Sequence, residues 1–255
     1  MPICDACWIE FPIHDGFRCD CCGDGLDAPV DTEASRLCLA CRLVPPSFVR
    51  AVSFGPYEGR MRQAIQALKY QGMQGTSRKL GAMLAEAISQ LASDAPAEML
   101  VVPVPLHRAK QAQRGFNQAR ALASAAIDCL RKSHPAWRLT LAPAALMRLR
   151  STESQAGLTP RQRRQNVRGA FKVSTPAAVN GKHVLVIDDI LTTGATARAT
   201  ALALAGAGAA SVWVATLARA RRLHRYQRTT QGLTRPRVPS LESMHSSSTR
   251  NQPSF

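Results

Sequence analysis

The chain has 255 residues, of which 45% are hydrophobic, and its formal net charge at pH 7 is +16. This length and apolar content allow one large domain, or a medium domain with a small accessory module, and they exclude a chain that is disordered throughout. The positive charge favours polyanionic partners, but it does not distinguish nucleic acid from a pyrophosphorylated small molecule.

The first predicted element is a cysteine-rich module over residues 1–46. Seven of the eight cysteines precede residue 42, and four of them form two C-x2-C pairs: Cys19, Cys22, Cys38 and Cys41. Because each pair can direct two thiolates at one tetrahedral ion, the spacing predicts a structural Zn²⁺ site, with a disulfide cluster as the alternative. Cys4 and Cys7 form a third pair without a fourth to complete a second site, so their role stays open.

Extended and helical patterns alternate through the following hundred residues, which is typical of an α/β fold. The expected elements are an extended segment at 49–57, helices at 61–70 and 80–91, a buried strand at 99–102, a loop at 103–108 and a helix from about 116 or 117 to 131.

The segment from Leu146 to Arg168 is polar and contains six arginines against one acid. A solvated loop and a nucleic-acid contact fit this composition equally well. A strand is expected at 170–173, and the rest forms a β-α-β unit: strand 184–187, helix 195–205 and strand 211–217.

The residues that carry most chemical information read VLVIDDILTTGAT, from Val184 to Thr196. Ligands of open α/β sheets bind at the carboxyl ends of the strands, where Asp188 and Asp189 are expected to follow a strand buried on both faces. The next turn leads into a helix and should present free backbone N–H groups to a phosphate: Thr192, Thr193, Gly194, Ala195 and Thr196. Two acids suit sugar hydroxyls or the water shell of Mg²⁺, so a phosphorylated ribose fits both halves, whereas an Asx-type turn and a helix cap are the alternative without function.

The sequence shows no recognisable targeting signal or membrane-spanning segment. The amino-terminal residues lack the basic start and apolar stretch of a signal peptide, and the uncharged run at 199–218 is interrupted by glycines and divides into helix, turn and strand. We therefore expect a soluble, cytoplasmic protein without membrane insertion. Residues 220–255 lack periodicity, and the stretch from Arg219 to Phe255 contains eight arginines including Arg219, so a basic disordered tail is expected.

The stretch 184–196 resembles the 5-phosphoribosyl-1-pyrophosphate (PRPP) motif of type I phosphoribosyltransferases, an apolar strand followed by D-D-x-x-x-T-G-x-[ST]. The resemblance implies a Rossmann-like, mostly parallel sheet. It assigns Asp188 and Asp189 to the ribose hydroxyls, residues 192–196 to the 5′-phosphate and Mg²⁺ to the pyrophosphate.

Residues 4 to about 219 resemble the ComF family, phosphoribosyltransferase-like proteins with an amino-terminal zinc module that are associated with natural competence for DNA uptake. The matching stretches are CDCCG and CLAC, LKY at 68–70, VPVPLHR at 102–108, RGFNQA at 114–119, and TESQAGLTPRQRRQNVRGAF at 152–171. The implied domains are a zinc module at 1–46, a phosphoribosyltransferase-like domain at 47–219 and an additional tail at 220–255.

The resemblance also implies a pyrophosphate loop containing Pro105, Arg108 and Arg114, and a mobile hood formed by the arginine-rich segment. These arginines are solvated in the alternative interpretation. A catalyst of this type would transfer phosphoribosyl from PRPP to an acceptor that the sequence does not identify. It would act by positioning the substrate and neutralising pyrophosphate, and no residue is assigned to proton transfer.

Two functions follow from these features. One is a PRPP-binding phosphoribosyltransferase-like protein linked to DNA uptake, with competence-machinery proteins as partners. The other is a non-catalytic accessory protein that binds single-stranded DNA and uses PRPP as a regulatory ligand. The acid pair and turn favour the first, and the zinc module and excess arginines favour the second, although aromatic residues for base stacking are scarce at 5%.

Overall fold

The structure, a computed structural model, describes residues 11–26, 36–70, 74–150 and 159–220. Cys4 and Cys7, the part of the arginine-rich segment at 151–158, and residues 221–255 of the predicted tail lie outside the described residues.

Seven strands and eight helices lie within those described ranges. In chain order they are α1 (Leu39–Leu43), β1 (Ala51–Pro56), α2 (Gly59–Tyr70), α3 (Gln74–Ser89), β2 (Glu98–Pro103), α4 (Arg108–Arg114), α5 (Gln118–Ser133), β3 (Arg138–Leu141), β4 (Leu146–Arg148), α6 (Pro160–Val167), β5 (Phe171–Val173), α7 (Pro176–Val179), β6 (His183–Leu191), α8 (Ala195–Gly206) and β7 (Ser211–Arg219).

The main sheet has five parallel strands in the order β1-β7-β6-β2-β3, and β4 and β5 form a separate antiparallel pair. The α/β class and the mostly parallel sheet are therefore confirmed. Val184, Leu185, Val186 and Ile187 are 0% exposed, as an uncharged β-branched run in a central strand requires. The prediction of a strand buried on both faces is confirmed.

Alternate residues of the central strands enter two different cores. Leu185 and Ile187 of β6 pack with the apolar faces of α2, α3 and α5. Val184 and Val186 pack on the opposite side of the sheet with α8, the β4–β5 pair and the cysteine cluster. The cysteine-rich residues therefore share a core with the sheet. Backbone contacts agree, since the Ala51 amide donates to the Cys21 carbonyl at 2.7 Å.

Several elements differ from the sequence expectation. Strand β6 does not end at Ile187 but continues through Asp188 and Asp189 to Leu191, because β7 keeps pairing with it as far as Leu191 and Arg219. On its other side, pairing with β2 ends at Pro103 and Ile187. The two acids therefore lie in a strand segment that is paired on one side only.

The expected loop at 103–108 ends earlier, because helix α4 begins at Arg108. Its sequence RAKQAQR consists of good helix formers, the His107 side chain accepts a hydrogen bond from the Ala109 amide, and Gly115 ends the helix with a left-handed φ of 75°. The next helix starts as expected, because the Asn117 side chain caps α5 by accepting from the Arg120 amide at 3.2 Å.

The arginine-rich segment is also more ordered than a loop within its described part. It contains β4 and the helix α6, which begins with a capping box between Thr159 and Gln162. Strand β3 at the sheet edge was not predicted. In the described ranges, no helix combines the length and apolar character that a membrane span requires.

Candidate functional site

A cleft of about 340 Å³ opens at the carboxyl ends of β2 and β6. The chain leaves β2 toward β3 on one side and leaves β6 toward β7 on the other, so the sheet order reverses between these neighbours. Such a switch point is where open α/β sheets bind ligands. Its polar lining is Tyr57, Gln66, Lys69, Lys110, Arg114, Asn117, Gln118, Arg148, Arg163, Asp188, Asp189, Thr192, Thr196 and Thr216.

Asp188 and Asp189 both line this cleft, although their side chains leave opposite faces of the strand. Asp188 is half-buried, and its Oδ1 accepts a 2.9 Å hydrogen bond from the Asp189 amide. Burial, and next the Asp189 charge, raise the pKa of Asp188 from 3.8 to about 7. Of the two acids, Asp188 is the more accessible.

Lys69 forms an ion pair with the other acid, Asp189. Its Nζ lies 2.6 Å from Asp189 Oδ2, and Asp189 is only 9% exposed. Burial lowers the pKa of Lys69, but the charge and hydrogen bond of Asp189 together with the charge of Asp188 outweigh it, so the net pKa is raised and the amine stays protonated. Lys69 comes from the end of α2 and belongs to the LKY stretch, where no role had been assigned to it.

The turn after β6 begins a helix beside the acids. Gly194 precedes α8 with a left-handed φ of 76°, a conformation that only glycine adopts without strain. Thr192, Gly194, Ala195 and Thr196 line the cleft. Thr193 does not, and its Oγ1 accepts a weak 3.4 Å bond from the Ala195 amide. The first-turn N–H groups of α8 have no intrahelical acceptors, which makes this end of the cleft suitable for an anion.

The predicted pyrophosphate loop is only partly in the cleft. Pro105 and Arg114 line it, whereas Arg108 is exposed in the first turn of α4 and is absent from the lining. Helix α4 leaves the Arg108 side chain outside the cleft, and Lys110 of the same helix lines the cleft instead. Burial, then Arg148, Arg114 and Lys69, lower the pKa of Lys110.

Arg148 comes from β4 on the opposite side of the cleft from α2. Its guanidinium lies 5.3 Å from the centroid of the Phe171 ring, which fixes its position by a cation–π contact. Burial lowers the pKa of Arg148, and the Asp188 carboxylate partly opposes this effect. Arg148 belongs to the arginine-rich segment, and no local sequence pattern directs it to the acids.

The four cysteines of the two C-x2-C pairs form a second cluster away from the cleft. Their Sγ atoms all lie within 4.8 Å of one another, all four residues are buried, and Cys22 Sγ is 3.6 Å from Cys38 Sγ. The Cys22 amide points at Cys19 Sγ at 3.5 Å. Four converging thiols are the donor set of a structural zinc site, so this cluster could hold a metal such as zinc.

Comparison with known proteins gives a consistent family. A model described as phosphoribosyl transferase domain matches residues 114–234. DNA utilization protein YhgH of Escherichia coli (strain K12) is 30% identical over 184 residues, covering 71% of this chain and 77% of that protein. Competence protein F of Haemophilus influenzae is 28% identical and covers 72% and 78%, respectively. Competence protein ComFC of Bacillus subtilis (strain 168) is 29% identical and covers 55% and 51%.

Proposed function

Because the chain belongs to the ComF family of phosphoribosyltransferase-like proteins, we propose that it binds PRPP with Mg²⁺ in the cleft between β2 and β6 and acts in DNA uptake. Asp188 and Asp189 hold the ribose hydroxyls in this proposal. The 5′-phosphate lies on the turn formed by Thr192, Thr193, Gly194, Ala195 and Thr196, and the pyrophosphate lies toward Pro105 and Arg114. Thr193 contributes indirectly, by accepting a hydrogen bond from the Ala195 amide. Lys110 takes the place of Arg108 as the cation of α4 that lines the cleft.

The single observation that carries the proposal is the convergence of the acid pair and the helix-initiating turn on one cleft. A ligand that satisfies both needs hydroxyl donors next to a phosphate. Phosphoribose meets this requirement. A bare phosphate would bring no hydroxyl donor to the more accessible carboxylate of Asp188, and an uncharged sugar would leave the amide turn without an anion.

The electrostatics of the cleft support a highly charged anion. Five cationic side chains line it against two acids: Lys69, Lys110, Arg114, Arg148 and Arg163. Repulsion from Arg148, Arg114 and Lys69 contributes to the lowered pKa of Lys110, so an anion bound between these cations would reduce their repulsion. Pyrophosphate offers enough charge for several of them at once.

The residues present fit Mg²⁺ and zinc at different places. Carboxylate oxygens at the cleft suit the water shell of Mg²⁺, with Asp188 as the more accessible group, and the ion would neutralise the pyrophosphate oxygens as they leave. The thiol set of Cys19, Cys22, Cys38 and Cys41 suits a closed structural zinc site. Catalysis would form a bond from the acceptor to the ribose C1 while the bond from C1 to pyrophosphate breaks, and the protein's own groups would position the sugar and exclude water.

Thermal unfolding with PRPP and Mg²⁺ tests the proposal. At about a hundredfold excess over the dissociation constant, ligand should stabilise the protein by roughly 2 to 3 kcal/mol. The double variant Asp188→Asn, Asp189→Asn should lose this gain. Asp128→Asn is a matched control, because this exposed acid of α5 pairs with Arg131 away from the cleft. An unchanged unfolding temperature of the unaltered protein would refute PRPP binding.

A second function, binding of single-stranded DNA with PRPP as a regulatory ligand, is favoured by one further observation. Arg150, Arg161 and Arg168 are exposed beside the cleft-lining β4 and α6, and the names of the relatives refer to DNA utilization and competence. Arg161→Gln with Arg168→Gln should weaken retention on single-stranded DNA and reduce its salt dependence by about two counterions. Retention that ignores both substitutions would count against this function.

A further inference from the structure

Arg219 is a buried arginine that the PRPP motif does not include. It is the last residue of β7, it is 2% exposed, and it lies at the carboxyl edge of the sheet between β1 and β6, in register with Pro56 and Leu191. A buried guanidinium is costly unless its donors are satisfied, so its contacts indicate its role.

One end of the Arg219 guanidinium holds the turn. Its Nη1 donates to the Leu191 carbonyl at 2.9 Å and also to the Thr192 carbonyl. These two carbonyls belong to the residues that lead from β6 into the turn at 192–196. The direction of the following amide groups depends on the orientation of these peptide units, because each peptide is planar.

The other end of the same guanidinium holds the cysteine-rich module. Its Nη2 lies 3.3 Å from Asp24 Oδ2, and both side chains are only 3% exposed. It also lies 3.9 Å from Cys22 Sγ. Asp24 is close to Cys22 in sequence, and its carbonyl accepts a hydrogen bond from the Cys19 amide at 2.8 Å. Arg219 therefore contacts both the loop of the first cysteine pair and the turn at 192–196.

We propose that Arg219 is a positioning residue that couples the cysteine cluster to the anion-binding turn, so that the turn takes its binding geometry only while the first cysteine pair is in place. This inference rests on the proposed function for its effect on PRPP, but the coupling itself is a property of the ligand-free chain. The planar guanidinium is necessary because it reaches carbonyls on one side and a carboxylate on the other, which an ammonium group cannot do in the same geometry.

Arg198 offers a matched control for this coupling. It also joins the module to the domain, since its Nη2 lies 3.9 Å from Cys41 Sγ and its Nη1 donates to the Val44 carbonyl at 2.7 Å. Its cysteine contact has the same length as that of Arg219. Within the described residues, its side chain bonds to Val44 and Cys41 and not to the Leu191 or Thr192 carbonyl. The Arg198→Gln variant therefore separates a general loss of module packing from loss of the link to the turn.

Amide hydrogen exchange of residues 192–196 in the metal-loaded, ligand-free protein is the direct test. Arg219→Gln should accelerate exchange there by about tenfold, since two carbonyls lose their buried donor. Asp24→Asn, which leaves the arginine in place, should act in the same direction with a smaller effect. Arg198→Gln should leave these amides unchanged. Removing the metal from the unaltered protein with a chelator should accelerate their exchange, and adding the chelator to Arg219→Lys should accelerate it much less.

The affinity for PRPP with Mg²⁺, measured by titration calorimetry, gives a second readout. Arg219→Gln should weaken binding by about tenfold while Arg198→Gln changes it by less than about twofold. If the unaltered protein does not bind PRPP, the proposed function fails, but the exchange measurement still decides the coupling. The inference would be overturned if exchange at 192–196 were unchanged in Arg219→Gln or after metal removal. It would also be overturned if the effects of the Arg219 substitution and of metal removal simply added.

Discussion

Lys69 and Asp189 form an ion pair of 2.6 Å that joins the end of α2 to the end of β6 at the floor of the cleft. The neighbouring acid, Asp188, leaves the opposite face of the strand, and the charges of Lys69 and of Arg148 from β4 both act on it. Asp189 therefore has Lys69 as a direct partner, whereas Asp188 interacts with Lys69 and also with Arg148 from the opposite layer. This arrangement leads to the first two predictions.

Lys69→Gln should destabilise the protein, because it leaves the 9% exposed Asp189 carboxylate without its cation. We expect a loss of about 2 to 3 kcal/mol in the free energy of unfolding, measured by guanidinium denaturation. Lys182→Gln is the control, since its ion pair with Glu98 spans 3.6 Å between largely exposed groups and should cost less than about 0.5 kcal/mol. Equal losses of unfolding free energy in Lys69→Gln and Lys182→Gln would show that another group compensates the Asp189 charge.

Asp188→Asn should stabilise the ligand-free protein above neutral pH while it weakens PRPP binding. Burial and Asp189 raise the pKa of Asp188 from 3.8 to about 7, so between these values the folded state binds more protons than the unfolded state. The contribution of Asp188 to stability therefore falls as pH rises through this window.

Asparagine keeps an oxygen for the Asp189 amide but carries no charge. The variant should match the parent below about pH 4 and exceed it by on the order of 1 kcal/mol above pH 7. Unfolding curves of both proteins at several pH values measure this difference. A difference that is constant with pH would contradict the raised pKa.

Gly194→Ala should disturb the turn through the backbone alone. The nearest atom to an added Cβ is Leu191 Cδ1 at 4.0 Å, so space is available, but the φ of 76° is strained for alanine by about 1 to 2 kcal/mol. Gly206→Ala lies in the same helix with nothing within 4 Å and should stabilise by about 0.5 to 1 kcal/mol. Opposite signs of the two changes in unfolding temperature are the expected result. Two stabilising substitutions would mean that the turn relaxes out of the left-handed conformation.

Cys38→Ser should release the bound metal and lower the free energy of unfolding by on the order of several kcal/mol, because metal binding contributes directly to folding of such a module. Cys129→Ser is the control, since Cys129 is a half-buried residue of α5 outside the cluster and should cost about 1 kcal/mol or less. Metal content and calorimetric unfolding together measure both effects. Full metal content in Cys38→Ser would exclude Cys38 as a ligand.

Much of the fold was predictable because its signals are local. The strand 184–187, the helix after it, the capped start of α5 at Asn117 and the C-x2-C spacing each depend on residues within one or two turns of chain. Helix α4 was missed because a short run of helix formers between a proline-rich loop and a glycine carries no apolar periodicity. The acids were expected after the strand and not within it, because one-sided pairing with β7 extends β6 without any change in composition.

The sequence by itself determined the α/β class, the position of an acid pair and an amide turn at the carboxyl edge of a buried strand, and a thiol cluster able to hold a metal. Only the tertiary structure decided which cations serve that site. Lys69, Lys110 and Arg148 enter the cleft and Arg108 does not, because the face that each helix or strand presents is set by packing against distant residues. Arg219 joins segments almost two hundred residues apart, a relationship that arises when the chain folds and that no local pattern encodes.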